Sequence, residues 1–199
     1  MPPRAGLDHG AVVQRAAELV DASPTAFADL SLAQLAENLG VRTPSLYKHV
    51  AGLAALRRDL TLLGLHKLAE RLTGAAVGRS RDDAVRAVAR AYRAFALQHP
   101  GLYAATQLGP PLQDDELQEA AGRVIEIILR VLEGYGLHSD DALHAVRTLR
   151  SLTHGFVSLE MNGGFKLPLD IEESYRRLVQ MYLDSLPRGQ DDVGTFKRG

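Results

Sequence analysis

A helix-turn-helix pattern in residues 31–49 constrains this 199-residue chain more than any other stretch. Ser31 stands three residues before Gln34, which is the spacing of a capping box at a helix start. Apolar residues then recur at helical intervals, at Leu32, Leu35, Ala36 and Leu39. Gly40 follows, and glycine turns a chain sharply without a Cβ clash. The stretch therefore predicts a short helix that ends in a tight turn.

A second short helix is predicted directly after this turn. Thr43 can cap it, and Pro44 suits its first turn, where a missing N–H costs nothing. Val41 and Leu46 can fill the angle between the two helices, and the small Ala36 lets them cross closely. Such a pair places its second helix in the major groove of DNA. The alternative is an ordinary helical corner, but the caps, the spacing and the polar second helix favour DNA binding.

The same residues resemble the DNA-binding region of TetR-family transcriptional regulators. The likeness runs from residue 7 to residue 60, and its core is Leu35-Ala36, Gly40-Val41, Leu46-Tyr47 and His49. The chain departs from the family where Val50 replaces a frequent Phe and where Gly52-Leu53 replaces a frequent Lys. The phosphate contact of that lysine would then fall to Lys48, Arg57 or Arg58.

Eight residues in or beside the motif are candidates for DNA contact. By position on the second helix, five would bind phosphate: Thr43, Ser45, Tyr47, Lys48 and His49. Three would meet bases, namely Arg42, Pro44 and again Ser45, and Ser31 completes the set. Four basic residues and no acid lie between residues 42 and 58, although the net charge of the whole chain is −1. A local basic patch of this kind is typical of a protein that touches DNA with one face, or of a solvated helix.

The second half of the chain carries a further resemblance. Its residues are His154-Gly155-Phe156, Leu159-Glu160 and Gly163-Gly164-Phe165. They resemble a C-terminal domain class of TetR-family regulators that is named for Trp, His and Gly, over residues 80–186 and most firmly over 143–186. The chain contains no tryptophan, so no role that depends on one is carried over. The resemblance implies dimerisation through the last two helices.

A stripe of small residues in the predicted helix 139–162 supports the same interpretation. It consists of Ser151, Gly155, Ser158 and Asn162, which fall on one side and would let another helix approach closely. Apolar residues flank this stripe, which implies burial on more than one side. The alternative is the central helix of a monomer.

Helical periodicity continues along the chain, and no strand pattern or repeat interrupts it. The sequence predicts an all-α fold of about nine helices, with an N-terminal three-helix domain and a C-terminal helical bundle. The predicted domains are a DNA-binding domain at 1–58, a ligand-binding and dimerisation domain at 59–187, and a disordered tail at 188–199. A long helix from residue 53 to residue 72 would couple the two domains.

Seven residues of the C-terminal bundle are candidates for a ligand pocket. They combine apolar walls with a few polar groups, as small-molecule pockets do: Tyr92, Phe95, His99, Leu102, Tyr103, Arg150 and His154. The alternative for each of them is an ordinary place in the core or on the surface. The chemistry of the ligand is not readable from these residues.

Composition limits the other function classes. Cysteine is absent, which removes disulfides, thiolate metal sites and cysteine nucleophiles. The histidines lack metal-binding spacing, and neither an HExxH motif nor a GxSxG elbow occurs, so we expect no metal, no cofactor and no enzymatic activity. No stretch approaches the ~20 apolar residues that span a bilayer, and no signal peptide is visible, so a cytoplasmic protein is expected.

The sequence as a whole predicts a DNA-binding transcriptional regulator. The predicted regulator is a ligand-responsive repressor that binds a palindromic operator in double-stranded DNA as a homodimer. Its effector would be a small molecule of unknown identity, and no membrane is involved. The alternatives are a helical small-molecule-binding protein without DNA function and, third, an enzyme. The operator sequence, the regulated genes and the choice between repression and activation are left open.

Overall fold

The computed structural model describes residues 7–23, 25–109 and 111–187, and these residues form ten α-helices and no β-strand. The prediction of an all-α fold is therefore confirmed. In chain order the helices are α1 His9–Val20, α2 Ala26–Asp29, α3 Leu32–Leu39, α4 Thr43–Leu46, α5 Leu53–Ala76, α6 Arg81–Gln98, α7 Pro100–Thr106, α8 Asp115–Glu133, α9 Ser139–Met161 and α10 Ile171–Ser185. The predicted tail at 188–199 lies outside the described residues.

Two details of the first half differ from the sequence prediction. The helix α2 is an addition to the predicted three-helix N-terminal domain, because four residues are too few to show a helical period. Its Phe27 is buried, as is the following Leu30. The prediction that Thr43 caps the second motif helix is wrong, because α4 starts at Thr43 itself and Arg42 occupies the cap position without a side-chain bond. Helix ends commonly shift by one residue in this way.

Contacts between residues divide the chain into two compact units. The first unit comprises residues 1–68 and 94–121, and the second comprises residues 69–93 and 122–199. Each unit is therefore assembled from two separate stretches of chain. The first contains α7 and the start of α8 in addition to the helix-turn-helix. The functional boundary at residue 58 stays a prediction.

In the first unit, α1 packs against α3 and α7. The contact with α7 is close: a Cβ atom at Gly101 would lie 2.1 Å from the carbonyl oxygen of Val20. The next residue, Asp21, accepts hydrogen bonds from the backbone N–H groups of Gly101 at 3.1 Å and Leu102 at 3.0 Å. His99 Nδ1 donates a further bond of 2.7 Å to the same carboxylate. The end of α1 and the start of α7 are thus held together by both shape and hydrogen bonds.

In the second unit, two buried tyrosines hold α10 in place. The hydroxyl of Tyr175 donates to the carbonyl of Ala89 in α6 at 2.7 Å, and the hydroxyl of Tyr182 donates to the carbonyl of Ala145 in α9 at 3.0 Å. Burial raises the pKa of both hydroxyls, so they remain protonated donors across the ordinary pH range. The tyrosines therefore combine a large buried ring with a satisfied polar group.

An arginine strengthens the same packing. Arg93 of α6 donates two bonds of 2.8 Å to the carboxylate of Glu160 in α9, and a further bond to Glu172 in α10. Its guanidinium lies 5.0 Å from the centre of the Tyr175 ring. The paired geometry satisfies a charge that is largely removed from water. Three helices of the second unit therefore meet at one side chain.

The contact at Gly101 gives a stability prediction. Gly101→Ala should lower the free energy of unfolding by about 3 kcal/mol, the upper part of the range for overpacking, since the new methyl group meets backbone atoms. The matched control is Gly122→Ala on α8, where a Cβ meets nothing within 4 Å. That change should stabilise by about 0.5–1 kcal/mol, because alanine suits a helix better than glycine. Urea denaturation at equal protein concentration measures both, and equal stabilities would contradict the close contact.

Candidate nucleic-acid interface

The first helix of the motif starts with the predicted capping box. The side-chain oxygen of Ser31 accepts a bond of 3.3 Å from the backbone N–H of Gln34, and the Gln34 side chain accepts one of 3.1 Å from the backbone N–H of Ser31. Two N–H groups that the helix leaves unbonded are therefore satisfied. The Ser31 hydroxyl also donates to Gln34 at 2.9 Å. This side chain is consequently occupied in holding the start of α3.

The turn after α3 depends on Gly40. Its backbone is left-handed, with φ 67° and ψ 30°. This conformation is unfavourable for a residue that has a Cβ atom. The N–H of Gly40 donates to Glu37 at 3.0 Å, and the N–H of Val41 donates to Ala36 at 3.0 Å. This is the Schellman arrangement, which ends a helix and satisfies its last carbonyls. The turn aims the chain directly into α4.

The segment from α4 to Val50 has one buried side and one exposed side. Leu46 and Val50, four residues apart, are buried. Val50 donates its N–H to the carbonyl of Leu46 at 2.9 Å, so the helical path continues past the end of α4. The outward side carries Pro44, Tyr47 and Lys48, and Tyr47 is 60% exposed. Helical spacing explains this division, because residues four apart, such as Leu46 and Val50, lie on the same side of a helix.

Two side chains make long-range contacts around the motif, one with the segment after α4 and one with the residues before α3. His9 at the start of α1 donates from Nδ1 to the carbonyl of His49 at 2.8 Å, and its Nε2 lies 3.5 Å from Asp59 of α5. Arg57 of α5 donates from Nη2 to the carbonyl of Ala28 at 2.8 Å. His9 is not among the residues predicted from the sequence. No local pattern signals a contact between residues 40 positions apart.

The basic residues of the predicted patch differ in whether they have an acidic partner in the structure. Arg58 is committed to acids: it binds Asp114 at 2.6 and 2.7 Å and Glu116 at 2.8 Å. This pairing raises the pKa of the Arg58 guanidinium and lowers that of the Asp114 carboxyl. Arg42 and Lys48 are exposed and have no ion-pair partner among the described residues. Their charge remains available to an external anion.

The eight predicted DNA-binding residues differ in exposure. Four are exposed: Arg42, Pro44, Tyr47 and Lys48. Four are half-buried: Ser31, Thr43, Ser45 and His49. The Tyr47 hydroxyl has no hydrogen-bond partner among the described residues, so it can donate to a phosphate. Seven of the eight follow the turn at Gly40 directly, within one stretch of eight residues, and their roles in DNA binding stay predictions.

The seven predicted ligand-binding residues fall in both units. Phe95, His99, Leu102 and Tyr103 belong to the first, and Tyr92, Arg150 and His154 belong to the second. In the first group, His99 is engaged by Asp21, and the other three are buried. In the second group, Tyr92 is buried, Arg150 is exposed, and burial, followed by the charge of Arg150, lowers the pKa of the half-buried His154. Their role in ligand binding stays a prediction.

The described residues contain neither a metal-binding cluster nor a helix that could span a membrane. No group of three or more histidine or acidic side chains is placed there to hold a metal ion. Within the same ranges, no helix has both the length and the apolar character that crossing a membrane requires.

Comparison with known proteins identifies the family. Residues 85–182 match the family model described as the tetracyclin repressor-like C-terminal domain. The chain is 35% identical over 187 residues to the uncharacterized HTH-type transcriptional regulator YobS of Bacillus subtilis (strain 168). This alignment covers 94% of this chain and 96% of that protein. The chain belongs to the TetR family of transcriptional regulators. The resemblance of the helix-turn-helix and of the C-terminal half to this family is thereby confirmed.

Solved structures share the fold. A protein of unknown function from Rhodococcus sp. RHA1 matches with a TM-score of 0.78 at 22% identity, over 94% of this chain and 100% of that one. A TetR variant from Acinetobacter baumannii AYE in complex with minocycline matches with a TM-score of 0.66 at 22% identity, over 90% of this chain and 96% of that one. At this identity the likeness concerns the all-α fold alone.

Proposed function

We propose that this protein is a DNA-binding transcriptional regulator, a ligand-responsive repressor that binds a palindromic operator as a homodimer. The observation that carries the proposal is the segment after Gly40, which exposes Arg42, Tyr47 and Lys48 while Leu46 and Val50 are buried. Membership of a family of regulators supports the same reading. Lys48 is the best candidate for the phosphate contact, because it is exposed on the outward side of the segment, whereas Arg57 is half-buried and Arg58 is paired with Asp114 and Glu116.

Binding to its own upstream DNA tests the proposal most directly. A gel-shift titration should show specific retardation of the upstream region that survives an excess of unrelated DNA. The half-sites should lie about one helical turn of DNA, or a multiple, apart. A protein that retards no upstream DNA would instead be a ligand-binding protein without DNA function.

Two substitutions test the docking of the second motif helix. Tyr47→Phe removes one hydrogen bond to a charged phosphate, which is worth about 1.5–3 kcal/mol. We expect affinity for every DNA sequence to fall about tenfold or more. Lys48→Ala should also reduce the slope of log affinity against log salt by about one unit. Fluorescence anisotropy at several salt concentrations measures both effects.

The control for Lys48→Ala is Lys166→Ala, which removes the same charge from an exposed site far along the chain. Its salt slope should equal that of the wild type. Both motif variants expose their substituted side chains, so folding should be preserved. If Tyr47→Phe and Lys48→Ala bind like the wild type, the proposed docking is wrong.

Assembly as a dimer is supported by the outer side of α9. Gly155 is exposed, and a Cβ added to it meets no atom within 4 Å. Leu159, one turn further, is 53% exposed, while Phe156 and Val157 on the other side are buried. Met181 of α10 is also exposed. Small and apolar residues that are open to solvent suit a helix from a second copy.

Gly155→Leu tests this surface. The larger side chain has room within its own chain, so the fold should remain intact. Against a partner helix it should overpack, at a cost of about 1–3 kcal/mol. Sedimentation should show a wild-type dimer at micromolar concentration and a shift toward monomer in the variant, with unchanged circular dichroism. Gly122→Leu on α8 is the matched control and should sediment like the wild type. A monomeric wild type would refute the proposal.

Ligand response completes the proposal. A small molecule releases DNA only if it binds one arrangement of the regulator better than another. A tenfold loss of operator affinity requires a preference of about 1.4 kcal/mol. Tyr103, which is buried in the first unit, and His154, which is half-buried in the second, are proposed as polar contacts and are to be tested separately.

A further inference from the structure

A cavity of about 550 Å³ lies in the first unit, beside the helix-turn-helix. Its volume falls within the range of ~300–1,000 Å³ that is usual for small-molecule sites. Its walls come from α2, α5, the segment after α7 and the start of α8, and include Phe27, Arg57, Thr61, Leu108, Pro111 and Leu117. The ion-paired Arg58 and Asp114 also line it. None of the seven predicted ligand-binding residues lines it. The cavity is thus separate from the pocket predicted from the sequence.

Arg57 gives this cavity its chemical character. Its Nη2 donates to the carbonyls of Ala28 at 2.8 Å and Leu30 at 3.5 Å, while its Nε–H is buried without an acceptor. No carboxylate pairs with this guanidinium among the described residues, in contrast to the neighbouring Arg58. A cation in a mostly apolar cavity binds best to an anion, which supplies the compensating charge.

The apolar walls define the rest of the ligand. The Phe27 ring is buried with its centre 5.9 Å from the Arg57 guanidinium carbon, and Leu117 is buried nearby. Leu108 lines the same cavity although it is 61% exposed. An apolar group in the cavity would cover this leucine, and the removal of apolar surface from water favours such binding.

We propose that this cavity binds a small amphipathic monoanion, with its acidic group on Arg57 and its apolar part against Phe27, Leu108 and Leu117. The residues carry no further selectivity for a particular carbon skeleton. The site therefore takes a class of ligand, of which a medium-chain carboxylate is the simplest member.

A ligand in this cavity would affect the DNA-binding motif through Arg57. This consequence rests on the proposed function. The two carbonyls that Arg57 holds flank the end of α2, and Leu30 directly precedes the capping residue Ser31. An anion on the guanidinium competes for its donors and weakens its hold on these carbonyls. The start of α3 then loses one of its supports.

Isothermal titration calorimetry with decanoate tests the site on the full chain. Wild type should bind one decanoate per chain, and decan-1-ol, which lacks the charge, should bind at least about tenfold more weakly, a difference of about 1.4 kcal/mol. Arg57→Met keeps the length of the side chain and removes its charge, and should weaken decanoate binding to the same extent. The matched control Arg90→Met removes an exposed arginine of α6 and should bind like the wild type.

A second variant covers the event that Arg57→Met does not fold. Leu108→Trp fills the cavity from a position that is exposed, so its cost to folding is small, and it should also abolish decanoate binding. Lack of decanoate binding by the wild type overturns the site. Equal affinity for decanoate and decan-1-ol overturns it too, as does full binding by folded Arg57→Met or by Leu108→Trp.

The link to DNA is tested separately, so that its failure is distinguishable from that of the site. Saturating decanoate should change the affinity of the wild type for its upstream DNA at least threefold and leave that of Leu108→Trp unchanged. Decanoate binding with no change in DNA affinity would overturn the link alone. If the wild type binds no upstream DNA, the proposed regulator function fails, and calorimetry still decides the cavity.

Discussion

The close contact between the end of α1 and the start of α7 is the constraint on which the first unit depends. Gly101 brings its backbone against that of Val20, and only a residue without a side chain permits this approach. Asp21 then satisfies two N–H groups at the start of α7 that the helix cannot pair itself. Because α1 also packs on α3, the position of the DNA-binding motif is set from a residue far outside it.

Sequence reasoning succeeded where the determinants are local. The capping box at Ser31 and the left-handed turn at Gly40 each involve residues within five positions of one another, and both appear as predicted. Their chemistry is carried by residue type, since a hydroxyl caps and a glycine reverses the chain. The all-α class follows for the same reason, because helical periodicity is a local property.

The parts that could not be predicted depend on pairs distant in the chain. Arg58 was one of three alternatives for a phosphate contact, and only the fold shows that Asp114, 56 positions away, occupies it. His99 was predicted as a ligand contact, which stays a prediction, and the bond from its ring to Asp21, 78 positions away, could not be foreseen. A charge or a histidine in a sequence reveals its chemistry but not its partner. A residue can therefore be assigned to DNA or to a ligand only after its partners within the chain are known.

The two neighbouring arginines of α5 differ in their partners, and this difference bears on function. Arg58 is paired with two acids that offset its charge, whereas Arg57 uses its donors on carbonyls and keeps its charge. Carbonyl acceptors hold a guanidinium in place without cancelling its positive charge, so the site still attracts an anion. The same bonds tie α5 to the residue before Ser31. Arg57 therefore both supports the motif and remains open to a ligand. A ligand on its guanidinium must compete with the carbonyls that it holds, so ligand binding is coupled to the support of the motif.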